Sequence, residues 1–336
     1  MTISSGFPTA AGRKVDPEDD RLHAIGAEPE YSESLYYQFG DVETKIAGFL
    51  RMADRPNEGR GERTVCLWLP DGKIAFSFAP VGFDEAGEIA SQGMRVTVDE
   101  PLVRHTVGFE GEVSVLADGW EMSEPRAALA RSPKVECSVE LEVSATAPAQ
   151  AFHLDDTGDF TANHFDQFAA SRGTVRVGGL EASIQAHGMR DRSWGPRSWQ
   201  APSFYRWLFG SCDGFGFAAG ILGRDGSHRT GGFVSDGGEM YALDRVEVET
   251  GYDGTRVRGA RLRLIAGERE WEIAGRALNS LPLRNRRRDS GSATRILETS
   301  MYWRVGGHEM IGIAEYLDQL DEGRPVGMAA YDGVPR

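Results

Sequence analysis

Cysteine is scarce in this chain, and long apolar runs are missing. Cys66, Cys137 and Cys212 are far apart, odd in number and form no Cys-x-x-Cys pair, which points to reduced thiols in a cytoplasmic protein rather than a disulfide framework. No apolar run approaches the roughly 18 residues that mark a membrane-spanning helix. Met1 to Lys14 lack the apolar stretch of a signal peptide, so the expectation is a soluble, unexported chain without membrane insertion. Basic residues are also in deficit, with 37 Lys and Arg against 51 Asp and Glu and a net charge of −14. A chain this acidic is repelled by phosphate backbones and anionic lipid, so no nucleic-acid partner is expected.

Several catalytic signatures are missing too. Gly214-Phe215-Gly216 continues to Gly220 at the wrong spacing for a dinucleotide loop and lies in a strand-like run. No Gly-x-x-x-x-Gly-Lys-Ser/Thr loop exists, and Gly210-Ser211-Cys212-Asp213-Gly214 places its serine one residue early for a nucleophile elbow. The seven histidines, His23, His105, His153, His164, His187, His228 and His308, include no pair at metal-ligand spacing, so no metal is expected. The cluster of Arg284, Arg286, Arg287 and Arg288 reads as a solvated loop, with a site for an anionic group as the alternative.

What the chain has is glycine, 42 residues of it, and short alternating apolar runs between Gly, Asp, Asn and Pro turns. Runs at 43–52, 63–69, 73–81 and 134–145 are followed by others at 181–191, 203–210, 214–222, 255–266, 269–278, 294–304, 308–317 and 325–331. Sustained helical periodicity is almost absent, and a short turn around Phe160 to Ala169 is the one helix expected between the halves. Evenly spaced strands predict an all-β protein of large antiparallel barrels. At roughly 100 to 200 residues per domain, 336 residues predict two. They are placed at 1–160, with an irregular arm over residues 1–30 wrapping the outside, and at 161–336.

Chemistry concentrates in Met189-Arg190-Asp191-Arg192-Ser193-Trp194-Gly195-Pro196-Arg197-Ser198-Trp199. On a strand, alternation sets His187, Met189, Asp191 and Ser193 on one face and Arg190, Arg192 and Trp194 on the other. One face offers an acid to an enclosed site. The structural alternative is a buried Asp-Arg pair closing a barrel end, with Trp194 as core. Tyr205, Trp207 and Phe209 share a face of the next run, as cavity lining or as core. Aromatic rings beside a carboxylate suit acid chemistry, because burial raises the acid's pKa and π faces stabilise a developing cation.

The pattern Gly188-x-Arg190-Asp191-x-Ser193-Trp194-Gly195-x-Arg197, with His164-Phe165-Asp166-Gln167 before it and Ile313-Ala314-Glu315-Tyr316-Leu317-Asp318-Gln319 after it, resembles the carotenoid 1,2-hydratase and AttH-like family. Kievitone hydratase and fungal Diels-Alderases are relatives within that family. The resemblance covers the chain from about Glu33 onward. It implies two lipocalin-like, calycin-type antiparallel barrels in tandem, a cavity near their junction, and no metal or cofactor. Asp191, Trp194 and Gly195 match the family's acid-bearing string, while Met189 replaces its tyrosine and Ser193 its asparagine. His164 matches an upstream histidine, and Asp166 stands in place of that motif's tryptophan.

The expectation is therefore an enzyme acting on a hydrophobic small molecule, terpenoid or aromatic, by acid-assisted hydration or dehydration, isomerisation or cyclisation. Asp191, His164 and Glu315 are the catalytic candidates. Trp194, Trp199, Arg190, Arg197, Tyr205, Trp207 and Tyr316 are the substrate-binding ones, and a homodimer fits this reading. Two alternatives are a non-catalytic lipocalin-like carrier and a carbon-carbon lyase acting on an aromatic dimer.

Overall fold

A computed structural model describes residues 15–85, 87–151, 160, 163–286 and 293–333. Strands take 67% of the described residues and helices 8%, far below the helical third of an average chain. The protein is all-β, as expected.

The first sheet contains β1 (Tyr31–Asp41), β2 (Ile46–Arg55), β3 (Arg60–Trp68), β4 (Ile74–Ala79), β5 (Ala90–Ser91), β6 (Met94–Glu100), β7 (Arg104–Leu116), β8 (Lys134–Ala145), β9 (Gln150–Ala151), β10 (Asn163–Val177) and β11 (Leu180–Pro196). The order β4-β3-β2-β1-β11-β10-β8-β7 is antiparallel throughout. A further pairing of β4 with β7, Ile74 opposite Leu116, closes it into a ring. The second sheet contains β12 (Phe204–Cys212), β13 (Phe215–Arg224), β14 (Ser227–Asp236), β15 (Glu239–Ala242), β16 (Arg245–Asp253), β17 (Arg256–Ala266), β18 (Arg269–Arg286), β19 (Ala293–Val305), β20 (His308–Asp321) and β21 (Arg324–Pro325). Its order β15-β14-β13-β12-β20-β19-β18-β17-β16 curls until β14 approaches β16. The result is a tandem of lipocalin-like barrels.

Alternation sorts most of the strands' apolar residues into three large layers. Leu35, Tyr37 and Phe39 of β1 fill the first barrel with Leu50, Val65, Val107 and Val139. Leu208 of β12 and Ala314 and Tyr316 of β20 fill the second with Phe217, Leu264 and Trp303. The outward residues meet between the barrels, where Tyr36, Phe49 and Met189 pack against Phe209, Leu281, Ile311 and Ile313. Each such large apolar side chain contributes roughly 1.5–3 kcal/mol by leaving water.

Several expectations change. The turn expected around Phe160 to Ala169 is not helical over residues 163–169, because 163–177 forms β10, held between β8 and β11. The change of sheet falls between Pro196 and Phe204 rather than at residue 160. β10 and β11 close the first ring, and without them β1 and β8 would present bare edges. An unforeseen α-helix, α1 (Pro125–Arg131), follows a 3-10 turn at Gly119–Ser123, and the run at 325–331 is mostly a second helix, α2 (Val326–Ala330). The arm before β1 does more than wrap the outside: Asp20, at the end of a 3-10 turn, is fully buried. Residues 1–14, and Arg287 and Arg288 of the arginine cluster, lie outside the described residues.

Candidate functional site

A cavity of about 470 Å³ opens between the barrels. Its wall on the first barrel follows from register. Tyr36 of β1 is opposite Arg51 of β2 on one side and Asp191 of β11 on the other, and Asp191 is opposite Asp166 of β10. Side chains so placed on one face lie about 5 Å apart, so Arg51, Tyr36, Asp191 and Asp166 make a polar row. The facing wall is a second row, with Glu315 of β20 between Trp207 of β12 and Glu298 of β19. Phe49, Phe76, Tyr205, Ile296 and Leu283 supply apolar surface, and Met122, Pro125 and Leu129 border it from the 3-10 turn and α1.

The bend after β11 completes the site. Gly195 has φ +106°, a conformation a side chain disfavours. The strand ends at Pro196, and Arg197 and Trp199 turn onto the cavity. The Arg197 guanidinium carbon sits 4.5 Å from the Phe160 ring centre and 4.6 Å from that of Trp199.

Two carboxylates side by side on a largely buried wall call for a cation between them, and His164 is that cation. Its Nε2 hydrogen-bonds the Asp191 Oδ2 and lies 3.3 Å from the Asp166 Oδ1. Burial alone would lower the imidazole pKa, but the charges of Asp191 and Asp166 raise it to about 10, so the ring is an imidazolium at neutral pH and Nε2 donates. Burial pushes the Asp166 carboxyl upward against the pull of His164, and Trp207 Nε1 donates to its Oδ2 at 3.3 Å. Across the cavity burial pushes Glu298 up to about 8, against Arg51. It pushes Glu315 up to about 7, against Arg197 and Arg51. The Tyr36 hydroxyl is buried without a hydrogen-bond partner among the described residues.

His164, Asp166 and Asp191 each place one ligand atom within 4.8 Å of the others. With a neutral ring this trio has the donor set for a small divalent cation, whereas an imidazolium offers no lone pair. Counting histidine spacings missed it, because Asp166 meets Asp191 only through the pairing of β10 with β11.

Of the residues expected at the site, Asp191, His164, Glu315, Trp199, Arg197, Tyr205 and Trp207 line this one cavity. Arg190, Trp194 and Tyr316 do not. Arg190 points to the other face of β11, where Nη1 and Nη2 donate to Asp20 at 2.6 and 3.1 Å and Nε donates to Gln167 Oε1 at 2.8 Å. Trp194, on the same face, stacks on His23 at 3.9 Å. Tyr316 is one residue from Glu315 and so points into the second barrel, its hydroxyl 3.0 Å from that of Thr250. Sequence reading missed Tyr36, Arg51, Asp166 and Glu298 as site residues. A charge in the middle of an apolar strand run was the available signal for Arg51 and Glu298.

Fold and site together define a tandem lipocalin-like protein whose cavity, at the junction of its barrels, joins acids to aromatic rings. The chain belongs to the family described as a domain of unknown function, DUF7064, whose model matches residues 16–320. No curated protein matches the sequence. Among solved structures, an AttH-type protein from Nitrosomonas europaea superposes with TM-score 0.60 at 14% identity, covering 91% of this chain and 97% of that one. Kievitone hydratase from Nectria haematococca superposes with TM-score 0.55 at 12% identity, covering 94% and 95%. CghA does so with TM-score 0.54 at 13% identity, covering 93% and 97%. The fold is thus the AttH-like one that the motif resemblance implied.

Proposed function

We propose that this protein is an enzyme that encloses a hydrophobic small molecule, terpenoid or aromatic, in the inter-barrel cavity. There it catalyses an acid-assisted hydration or dehydration, isomerisation or cyclisation without an organic cofactor. The observation that carries this reading is the hydrogen-bonded Asp191–His164 pair on one wall, facing Glu315 on the other, with Trp199, Tyr205 and Trp207 lining the same cavity. The pair shares one mobile proton. Asp191 delivers it to a substrate double bond or hydroxyl, and His164 holds the carboxyl in place and resupplies the proton. Glu315, poised near neutrality by burial, receives a proton from water or from substrate carbon. The indole and phenol faces stabilise the intervening positive charge. A relative of the same fold bears the name of a hydratase, which accords with this chemistry. A positioned acid supplies roughly 10²–10⁴ in rate, and shape and positioning supply the rest.

The test is solvent-deuterium incorporation, read by mass spectrometry, into a panel of terpenoid and aromatic alkenes and alcohols. The unmodified protein is expected to label or convert at least one of them. Asp191→Asn, which keeps shape but removes the transferable proton, should lose about 10²–10⁴ of that rate with melting temperature and ligand affinity retained. Bound ligands that are never labelled or converted would make the protein a carrier.

A further inference from the structure

The acids and rings of the cavity account for the proposed chemistry, but the arginines around it do not follow from an apolar ligand. Most have partners in the chain. Arg51 is 2.9 Å from Glu62, Arg55 and Arg60 are 3.2 and 2.9 Å from Glu58, and Arg206 is 3.1 Å from Asp318. Arg197 differs. Its guanidinium forms no ion pair among the described residues, and its Nε is buried with no hydrogen-bond partner there. What holds it is the pair of rings, Phe160 and Trp199, which flank the guanidinium where Arg197 lines the cavity.

A buried guanidinium without an anion is costly. Burial pulls Arg197 down to about 10, with Asp191 the first of the charges opposing that. A planar fork held by rings is preorganised for the two oxygens of a carboxylate, and desolvation makes such a pair strong. A phosphate monoester fits less well, because a second negative charge would be set near Asp191 and Glu315.

We infer that Arg197 anchors a carboxylate on the ligand, so that the molecule taken up is an apolar acid rather than a neutral hydrocarbon or alcohol. This deepens the proposed reading and rests on the same cavity. With its carboxylate on Arg197, the ligand's apolar body lies along Tyr205 and Phe49, and its unsaturated carbons reach Asp191.

The experiment compares two probes with one body, trans-stilbene-4-carboxylate and 4-(hydroxymethyl)-trans-stilbene, titrated by fluorescence into the full chain at neutral pH. The acid is expected to bind about tenfold or more tighter than the alcohol. Arg197→Met should abolish that preference while leaving alcohol affinity unchanged, and Arg197→Lys, which keeps charge but not the fork, should retain part of it. Equal affinities in the unmodified protein, or a preference that survives in Arg197→Met, would overturn the inference. If Arg197→Met fails to fold, Arg197→Lys decides: a preference undiminished there removes the fork from the argument. Acid preference without deuterium labelling would leave the anchor standing and sink the enzyme reading, whereas binding of neither probe would remove both.

Discussion

Glu298 stands apart from the other acids of the cavity, since His164 lies between Asp166 and Asp191 while the Glu298 Oε2 has no hydrogen-bond partner among the described residues. Burial raises its pKa from 4.5 to about 8. A carboxyl raised on folding holds its proton in the native state while the unfolded chain gives it up. Its effect on stability is therefore nil below pH 4.5 and grows unfavourable as pH rises to about 8. In that window stability should fall with pH by up to about 1.4 kcal/mol per unit for this group. Glu298→Gln, which cannot ionise, is expected to melt like the unmodified protein near pH 4.5 and above it at pH 8. Melting curves at the two pH values check this, and a difference of the same size at both would show that Glu298 is not held protonated. Which residues line the cavity was partly legible, because Asp191 lies in a dense motif. Glu298 and Arg51 sit in strand runs where a lone charge was the one sign of them, and burial is what makes them unusual.

At the scale of the element, β11 works with both faces. Asp191 serves the cavity, while Arg190 and Arg192 face the other way. Arg192 donates to Glu33, to the Arg21 carbonyl at 2.6 Å and to the Ser34 carbonyl at 3.1 Å. Arg190, Asp20, His105 and Tyr37 form a chain, with Tyr37 Oη 2.6 Å from His105 Nδ1 and His105 Nε2 2.9 Å from Asp20. Asp20 is held far below the usual carboxylate range. Burial opposes this, and the His105 hydrogen bond and the Arg190 charge prevail. Arg190→Met should therefore cost roughly 3–5 kcal/mol, because it strands a buried charge, and chemical denaturation measures it. Asp20→Asn combined with Arg190→Met should cost less than the single change, and an equal or larger cost would refute pairing as the reason. The buried Asp-Arg pair considered from sequence does exist on this strand, with a different aspartate. Alternation predicted the division of faces correctly, but it could not name partners some 170 residues away. The strand at β10 was misjudged because a short apolar run around His164 to Ala169 has no period that separates helix from strand. Pairing with β8 and β11 decided it.

For the whole molecule, the layer between the barrels sets the cavity. β1 and β20 meet so closely at Gly40 that a Cβ there would lie 2.4 Å from the Ile311 carbonyl oxygen, and backbone cannot step aside as a side chain can. Gly40→Val is expected to cost about 1–3 kcal/mol or more and to widen the gap between the walls, weakening ligand binding although Gly40 does not line the cavity. Calorimetry should show one transition for both barrels in the unmodified chain, moved to lower temperature in the variant. An unmoved transition would mean that the two sheets do not depend on this contact.

The all-β class, the strand grammar and the placing of acid and arginine on opposite faces of residues 187–194 were determined by the sequence itself, since period-two alternation and turn residues are local properties of the chain. Tertiary structure alone decided that Tyr316 turns away while Glu315 faces Asp191, that Asp166 and Asp191 share His164, and that Glu298 is buried. Those outcomes depend on strand register and on which outward faces the two barrels press together, and both are set by pairing between distant segments.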